Sequence, residues 1–511
     1  MPNFSFFTSC NQFWPKPNQT HLQNHPINIP KTSKSNLERL LLLLMNLLFF
    51  VVFLFFTYGF SSEPGVGIGY QLMVAVPVIY DSDFKGRGFL VETNHTTTKS
   101  NFRVALSIDP FNGRYTCSLQ VFLGDVKVWD SGHYSRFFTT EKCLLEITMD
   151  GDLMLKGPKE HVGWKTGTSG QGVKRLEIQK TGNLVLVDAM NNIKWQSFNF
   201  PTDVMLEGQV LDVATRLTSF QSNSSLFYSF EIEENRVALY LNSGNLRYSY
   251  WHFQPSMNRS ISYVKLISTG LALFNVKYKK IAEIQSNRIH PLSFLALKND
   301  TGNFGLYYYS PEKANFQASF QALNSTCDLP IACRPYGICT FSNSCSCIQI
   351  LSKDDNEISS DCSSAVSGSF CDGKQAEIIE LDNVSSVLKG VPKMVKISKE
   401  ECGNLCLEDC KCASALYFRN ASTNVEECYI YRLVLGLKQV DKGTGFSYMV
   451  KVPKGSGRNH EKHNNNNNVK RWVLILVGVV DGVIILVIVG GFGYWLVKRR
   501  THTFHSQATA S

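Results

Sequence analysis

Cysteines dominate the chemistry available to this chain of 511 residues, which holds fifteen of them. Cys10 lies upstream of an apolar run at residues 40–60. The other fourteen lie between that run and a second one at 472–497. Clustered thiols do one of two things: they bind zinc or they pair. The central cluster, Cys327, Cys333, Cys339, Cys345, Cys347 and Cys362, reads C-x5-C-x5-C-x5-C-x-C-x14-C. Zinc sites prefer cysteines two to four residues apart, and disulfides persist in oxidising compartments. An even number of cysteines between two apolar runs therefore points to a disulfide-bonded, exported segment. The same interval holds seven Asn-x-Ser/Thr acceptors, at Asn94, Asn223, Asn258, Asn299, Asn324, Asn383 and Asn420. They are expected to be glycosylated, in agreement with secretion.

No catalytic constellation accompanies the cysteines. Gly65-Val-Gly-Ile-Gly69 has phosphate-loop glycines, but it follows the first apolar run and precedes no helical pattern, so it reads as a linker. Neither His-Glu-x-x-His nor Gly-x-Ser-x-Gly occurs. Asp81-Ser-Asp83 reads as a solvated loop. No enzyme activity, metal or cofactor is expected. The formal net charge is +9. Part of it comes from Lys31, Lys34 and Arg39, and from Lys498, Arg499 and Arg500, which border the apolar runs. Cations there set membrane topology, and nucleic-acid binding is not expected.

The two runs have different roles. Residues 1–62 read as a leader and signal peptide, with small residues Gly59, Ser61 and Ser62 at its end. Met45 is an alternative start, and an uncleaved signal anchor is the alternative reading. Residues 472–497 are long enough to span a bilayer as one helix. Trp472 and Trp495 suit the interfaces, and Lys498-Arg499-Arg500 places the tail, 498–511, in the cytosol. The expectation is a single-pass type I protein of the plasma membrane. Asp481 sits inside the span, within Gly478-x-x-x-Gly482. An Asp there costs about 2.5–3.5 kcal/mol on insertion scales. It is either a contact to a partner helix, which would make homo- or hetero-dimers, or a protonated, locally hydrated side chain.

The elements between the runs read mainly as β. Leu145-Glu-Ile147 recurs as Leu176-Glu-Ile178, Gly151-Asp-Leu-Met-Leu155 as Gly182-Asn-Leu-Val-Leu186, and Trp164 as Trp195, all at an offset of 31 residues. Trp129 marks an earlier copy. Each copy alternates apolar and polar residues about a Gly-Asn or Gly-Asp turn, a hairpin signature. Three hairpins with one Trp each predict a threefold β-prism with a shared tryptophan core. Cys117 and Cys143 lie within it and are expected to pair. Residues 205–325 carry further alternating segments, such as Val237-Ala-Leu-Tyr-Leu241. Near the end, Ser398-Lys-Glu-Glu401 is a capping box. Cys402, Cys406 and Cys410 follow at a spacing that puts them on one helix face, and Cys412 and Cys428 adjoin strand-like segments. A helix stapled to a sheet should result. Residues 453–471 read as a polar stalk.

The residues 176–204, with Trp195-Gln-Ser-Phe198 and Pro201-Thr-Asp203, resemble the bulb-type mannose-binding lectin domain of plant S-domain proteins. That family binds mannose through strands reading Gln-x-Asp-x-Asn-x-Val-x-Tyr. Here Gln179, Asn183 and Val185 match, but Thr181 replaces Asp and Val187 replaces Tyr. The preceding copy has Thr148, Asp150, Asp152, Met154 and Lys156. Loss of the Asp removes a charge-assisted acceptor, so a lectin fold kept as a scaffold is favoured over mannose binding.

The central cysteines are similar to an EGF-like module. That resemblance implies pairs 327–339, 333–345 and 347–362. Glu401-Cys-Gly-Asn-Leu-Cys-Leu-Glu-Asp-Cys-Lys-Cys412 looks like a PAN/apple domain, which implies pairs 402–428 and 406–412 and leaves Cys371 with Cys410. The expected fold is thus mainly β. It comprises a bulb-type lectin domain (70–204), a second lectin-like β-domain (205–325), an EGF-like module (326–365), an α+β PAN/apple domain (371–452), the stalk and the transmembrane helix. The resemblance implies an S-domain or G-type lectin receptor-like protein without the kinase. Such a protein would bind an extracellular glycan or peptide and signal through a partner receptor kinase. A tethered lectin or a ligand-sequestering decoy is the alternative.

Overall fold

The computed structural model describes residues 45, 65–77, 83–93, 101–220, 226–256, 259–287, 290–348, 362, 376–389, 393–419, 424–454, 480, 482–496 and 498. Alternation of apolar and polar residues builds most of the regular structure as antiparallel strand.

Three sheets form a first prism. One orders Val66–Gly67, Val173–Ile178, Leu184–Asp188 and Ile193–Gln196. A second orders Val162–Lys165, Leu153–Lys156, Lys142–Ile147 and Gln71–Ala75. The third orders Gly86–Glu92, Phe102–Phe111, Arg114–Leu123 and Val126–Asp130, with Phe137–Thr139 also on Arg114–Leu123. The repeated hairpins are equivalent pieces of the first two sheets. Their turn glycines are required: Gly151 (φ +90°) and Gly182 (φ +84°) are left-handed, and a Cβ on Gly182 would lie 2.4 Å from the Phe102 ring. The tryptophans meet edge to face. Ring centroids are 6.3 Å apart for Trp129–Trp164, 5.8 Å for Trp129–Trp195 and 5.9 Å for Trp164–Trp195. The 65–69 segment is no linker. Val66 pairs with Leu176, and Gly65 passes so close to the Leu176 carbonyl that a Cβ would lie 2.3 Å from its oxygen.

A second prism repeats the plan with three four-stranded sheets. Val204–Leu206 pairs with Leu292–Leu297, Val210–Asp212 with Tyr263–Ile267, and Leu217–Thr218 with Leu226–Ile232. Its core has no tryptophan trio. Phe304 stacks between Phe230 and Trp251, at 4.8 and 6.0 Å.

This core runs on into a third part. There Gly337–Cys339 pairs with Cys345–Cys347 and, in parallel, with Leu437–Gln439. A five-stranded sheet orders Ala376–Asp382, Phe446–Pro453, Ser414–Arg419, Glu426–Tyr431 and Lys393–Val395. Helix α1 (Lys399–Glu408) lies on it, opened by the Ser398–Glu401 capping box. The helix stops at Asp409, so Cys410 lies beyond it and is exposed, whereas Cys402 and Cys406 are buried. The helical spacing therefore ends one turn earlier than the cysteine pattern suggests. Tyr248 of the second prism joins the parts, accepting from the Arg432 amide at 3.2 Å and packing 5.9 Å from the Tyr431 ring.

Near the C-terminus, residues 480, 482–496 and 498 are helical. Among the described residues, no helix is long and apolar enough to cross a membrane. Gly478 and Asp481 lie outside the described residues, and among the described residues Gly482 has no neighbour within 4 Å of its would-be Cβ.

Candidate functional site

Cys117 is bonded to Cys143, Cys327 to Cys339, Cys333 to Cys345, Cys347 to Cys362, Cys402 to Cys428 and Cys406 to Cys412. These bonds consume the thiols that a zinc reading would need. Cys371 lies outside the described residues. Of the glycosylation acceptors, Asn299 and Asn324 are exposed, and Asn383 is half-buried with φ +59°. Asn94, Asn223, Asn258 and Asn420 lie outside the described residues.

The strand singled out for sugar contact starts at the turn after Val173–Ile178. Alternation puts Gln179, Thr181, Asn183, Val185 and Val187 on the side opposite the core residues Leu184 and Leu186. Thr181 is exposed and Gln179 half-buried. Asn183 is buried and its amide is spent internally. Its Nδ2 donates to Gln196 Oε1 at 2.8 Å, and its Oδ1 accepts from the Phe198 amide and the Ser197 hydroxyl, both at 3.3 Å. Val185 and Val187 are 0% and 1% exposed, so no ligand reaches them. Their cross-strand partners, Glu177 and Arg175, form an ion pair at 3.1 Å on that face. The strand ends in Asp188, whose carboxyl is held well below the ordinary range by hydrogen bonds from Asn192, then Lys194 and the Met190 amide.

The preceding copy is equally self-occupied. Asp152 Oδ1 accepts from Thr166 Oγ1 at 2.9 Å, the Gly167 amide at 2.7 Å and the Thr168 amide at 3.1 Å. Asp150 is bonded to Ser169 and Thr148, in that order the causes of its lowered pKa. Thr148 also accepts from the Asp152 amide at 2.9 Å. Met154 faces Glu146 across the ladder, and Lys156 pairs with Glu146 at 2.5 Å. The Lys156 hydrogen bond lowers the Glu146 pKa.

One polar group escaped the sequence reading. Gln120 is 2% exposed, and its Nε2 donates to Asp109 at 2.8 Å, Ser118 at 3.0 Å and Asp130 at 3.1 Å. Lys127 adds a 2.7 Å bond to Asp130. The only signal was the Trp129 copy itself, since Gln120 sits in an otherwise apolar run.

The chain is similar to several known proteins. The family model for D-mannose binding lectin matches residues 128–226. A G-type lectin S-receptor-like serine/threonine-protein kinase of Arabidopsis thaliana is 24% identical over 350 residues, 65% of this chain and 41% of the relative. A PAN domain-containing protein of the same plant is 24% identical over 375 residues, 70% of this chain and 72% of the relative. This chain thus spans about two fifths of the kinase's length. Among solved structures, a monomeric monocot mannose-binding lectin from Gastrodia elata matches at 20% identity with a TM-score of 0.18, covering 26% of this chain and 96% of its own. A two-domain fetuin-binding lectin, Scilla campanulata agglutinin, matches at 16% identity with a TM-score of 0.17, covering 46% and 99%. The match to a D-mannose binding lectin domain thus falls on residues 128–226. Over a longer stretch the chain is similar to the plant G-type lectin S-receptor-like kinase and to the PAN domain-containing protein.

Proposed function

We propose that this chain is a recognition protein of the plant cell surface, whose activity is binding a glycan or peptide ligand rather than catalysis. The lectin family match and the receptor-like relatives support the class. Six disulfides among the described residues support an exported ectodomain. In this reading, 472–497 anchors the protein as a single-pass type I span. Residues 326–365 and 371–452 act as EGF-like and PAN/apple modules, and Cys371 pairs with Cys410. Signalling would pass through a partner receptor kinase, engaged through the 371–452 module or the Asp481 face.

The observation that carries the reading is the occupation of Asn183. Its amide is spent on Gln196, Ser197 and Phe198, and Val187 is buried where a polar tip would be needed. The 179–187 strand then serves as scaffold, and the ligand is met elsewhere on the prisms. The test is a glycan array with the full chain from a eukaryotic host. Mannose binding that disappears in Thr181→Ala would instead give the strand a direct role and favour a tethered lectin. Binding insensitive to that change supports the reading, as does a negative array followed by capture of a peptide ligand.

A further inference from the structure

A cavity of about 500 Å³ is lined from both prisms, away from the 179–187 strand. That size lies within the range of about 300–1,000 Å³ typical of small-molecule sites. Lys127 comes from the first prism. Phe220, Tyr228, Asn299 and Asp300 come from the second, and Asp203 from the segment joining them. The polar groups are arranged rather than scattered. Asn299 Nδ2 donates to Asp203 Oδ2 at 2.6 Å, while Asn299 Oδ1 accepts from the Phe220 amide at 2.5 Å. That leaves Asp203 with acceptor capacity, and Asp300 makes no side-chain hydrogen bond or ion pair among the described residues. Lys127 stays charged. Burial opposes its charge, but Asp130 at 2.7 Å holds its pKa above the ordinary value, and its amine lies 5.3 Å from the Phe220 ring.

Tyr228 is the odd member. It is 4% exposed, and its hydroxyl has no hydrogen-bond partner among the described residues. Burial and the nearby Asp300 charge both push its pKa up. An unpaired buried hydroxyl is unfavourable, and this one is closed to solvent, so the ligand contacts are left to Asp203 and Asp300.

The lining selects a chemistry. Two carboxylates against one ammonium make it rich in acceptors and unfavourable to anions. Two aromatic side chains, with Leu226 and Leu241, give it an apolar wall. A molecule with many hydroxyl donors on one edge and C–H groups on one face meets both demands. We propose that this cleft is a saccharide site, taking a neutral hexose or the end of a short oligosaccharide, with ligand hydroxyls donating to Asp203 and Asp300. It rests on the recognition reading only for the class of ligand. Asn299-Asp-Thr301 is also a glycosylation acceptor, so an attached glycan would stand at the mouth of the cleft.

The test uses the full chain, purified in a detergent without a sugar headgroup, carrying Thr301→Ala to remove any attached glycan while leaving Asn299 in place. Methyl α-mannoside, methyl β-glucoside, methyl β-galactoside and N-acetylglucosamine are titrated by calorimetry and by saturation-transfer NMR. At least one should bind. Asp300→Ala, which breaks no side-chain hydrogen bond or ion pair among the described residues, should weaken it at least tenfold. Gln179→Ala should leave it unchanged. Unchanged binding in Asp300→Ala, or loss in Gln179→Ala alone, overturns the cleft and leaves glycan recognition standing elsewhere. Failure of all four sugars on a chain with a normal melting transition also overturns it, while leaving a peptide ligand open to the recognition reading.

Discussion

Lys451 shows how one residue can hold two elements together. It lies in the strand Phe446–Pro453 and is only 2% exposed. Its ammonium donates to the carbonyls of Cys406, Leu407 and Asp409 at 3.3, 2.9 and 3.1 Å. Those carbonyls end helix α1, where orphan acceptors and the helix dipole both favour a cation. Lys451→Met should therefore leave buried acceptors unpaired and destabilise the chain by about 1–3 kcal/mol, read as a lower midpoint in thermal unfolding. An unchanged midpoint would mean that water replaces the amine. Nothing in the residue pattern announces this contact. A lone Lys in an alternating strand reads as a solvent-facing residue, and its partners lie more than forty positions earlier. Trp129, Trp164 and Trp195 were legible for the opposite reason: their recurrence at a fixed offset names their common place.

At the scale of elements, the strand Leu184–Asp188 decides whether the lectin pattern can simply be restored. Val187 is buried beside the Arg175–Glu177 pair. Val187→Tyr should overpack this face and destabilise the chain by about 1–3 kcal/mol. It should give no mannose affinity in calorimetry, even with Thr181→Asp added. Gain of mannose binding by the double variant would show that the face opens freely. Helix α1 makes a second case. Cys406 is fully buried and bonded to Cys412, and a native bridge in a small module contributes about 2–5 kcal/mol. Cys406→Ser should block export, and normal surface display would contradict that role. The helix start was readable from Ser398 and Glu401 because capping is local. Its end was not, because it depends on Lys451 and on the chain turning at Asp409. The pairing of Val66 with Leu176 was hidden in the same way, since two residues carry no period of their own.

At the scale of the whole molecule, the two prisms are tied by a short cluster around His133. Its Nε2 is 3.0 Å from the Thr218 hydroxyl of the second prism. Trp129 Nε1 donates to the Phe200 carbonyl at 2.9 Å, and the Tyr134 hydroxyl donates to the Pro201 carbonyl, so the connecting segment is held from the same hairpin. His133 is buried, and burial lowers its pKa below the ordinary 6.5. The charges of Asp203 and Asp130 oppose that shift and Lys127 reinforces it. A His whose folded pKa is depressed binds fewer protons folded than unfolded. Its contribution is complete above the unfolded pKa and is lost as pH falls from there through the folded value. Acidification below about 6.5 should therefore loosen the contact between the prisms. The midpoint of unfolding should fall between pH 7 and pH 5 more steeply in the wild type than in His133→Gln, whose side chain can bond Thr218 without titrating. Equal slopes in the two proteins would place the acid sensitivity elsewhere. Because the cleft above is lined by His133 as well, hydrogen exchange at the 217–218 strand should rise over the same pH range, and a ligand in the cleft should suppress that rise.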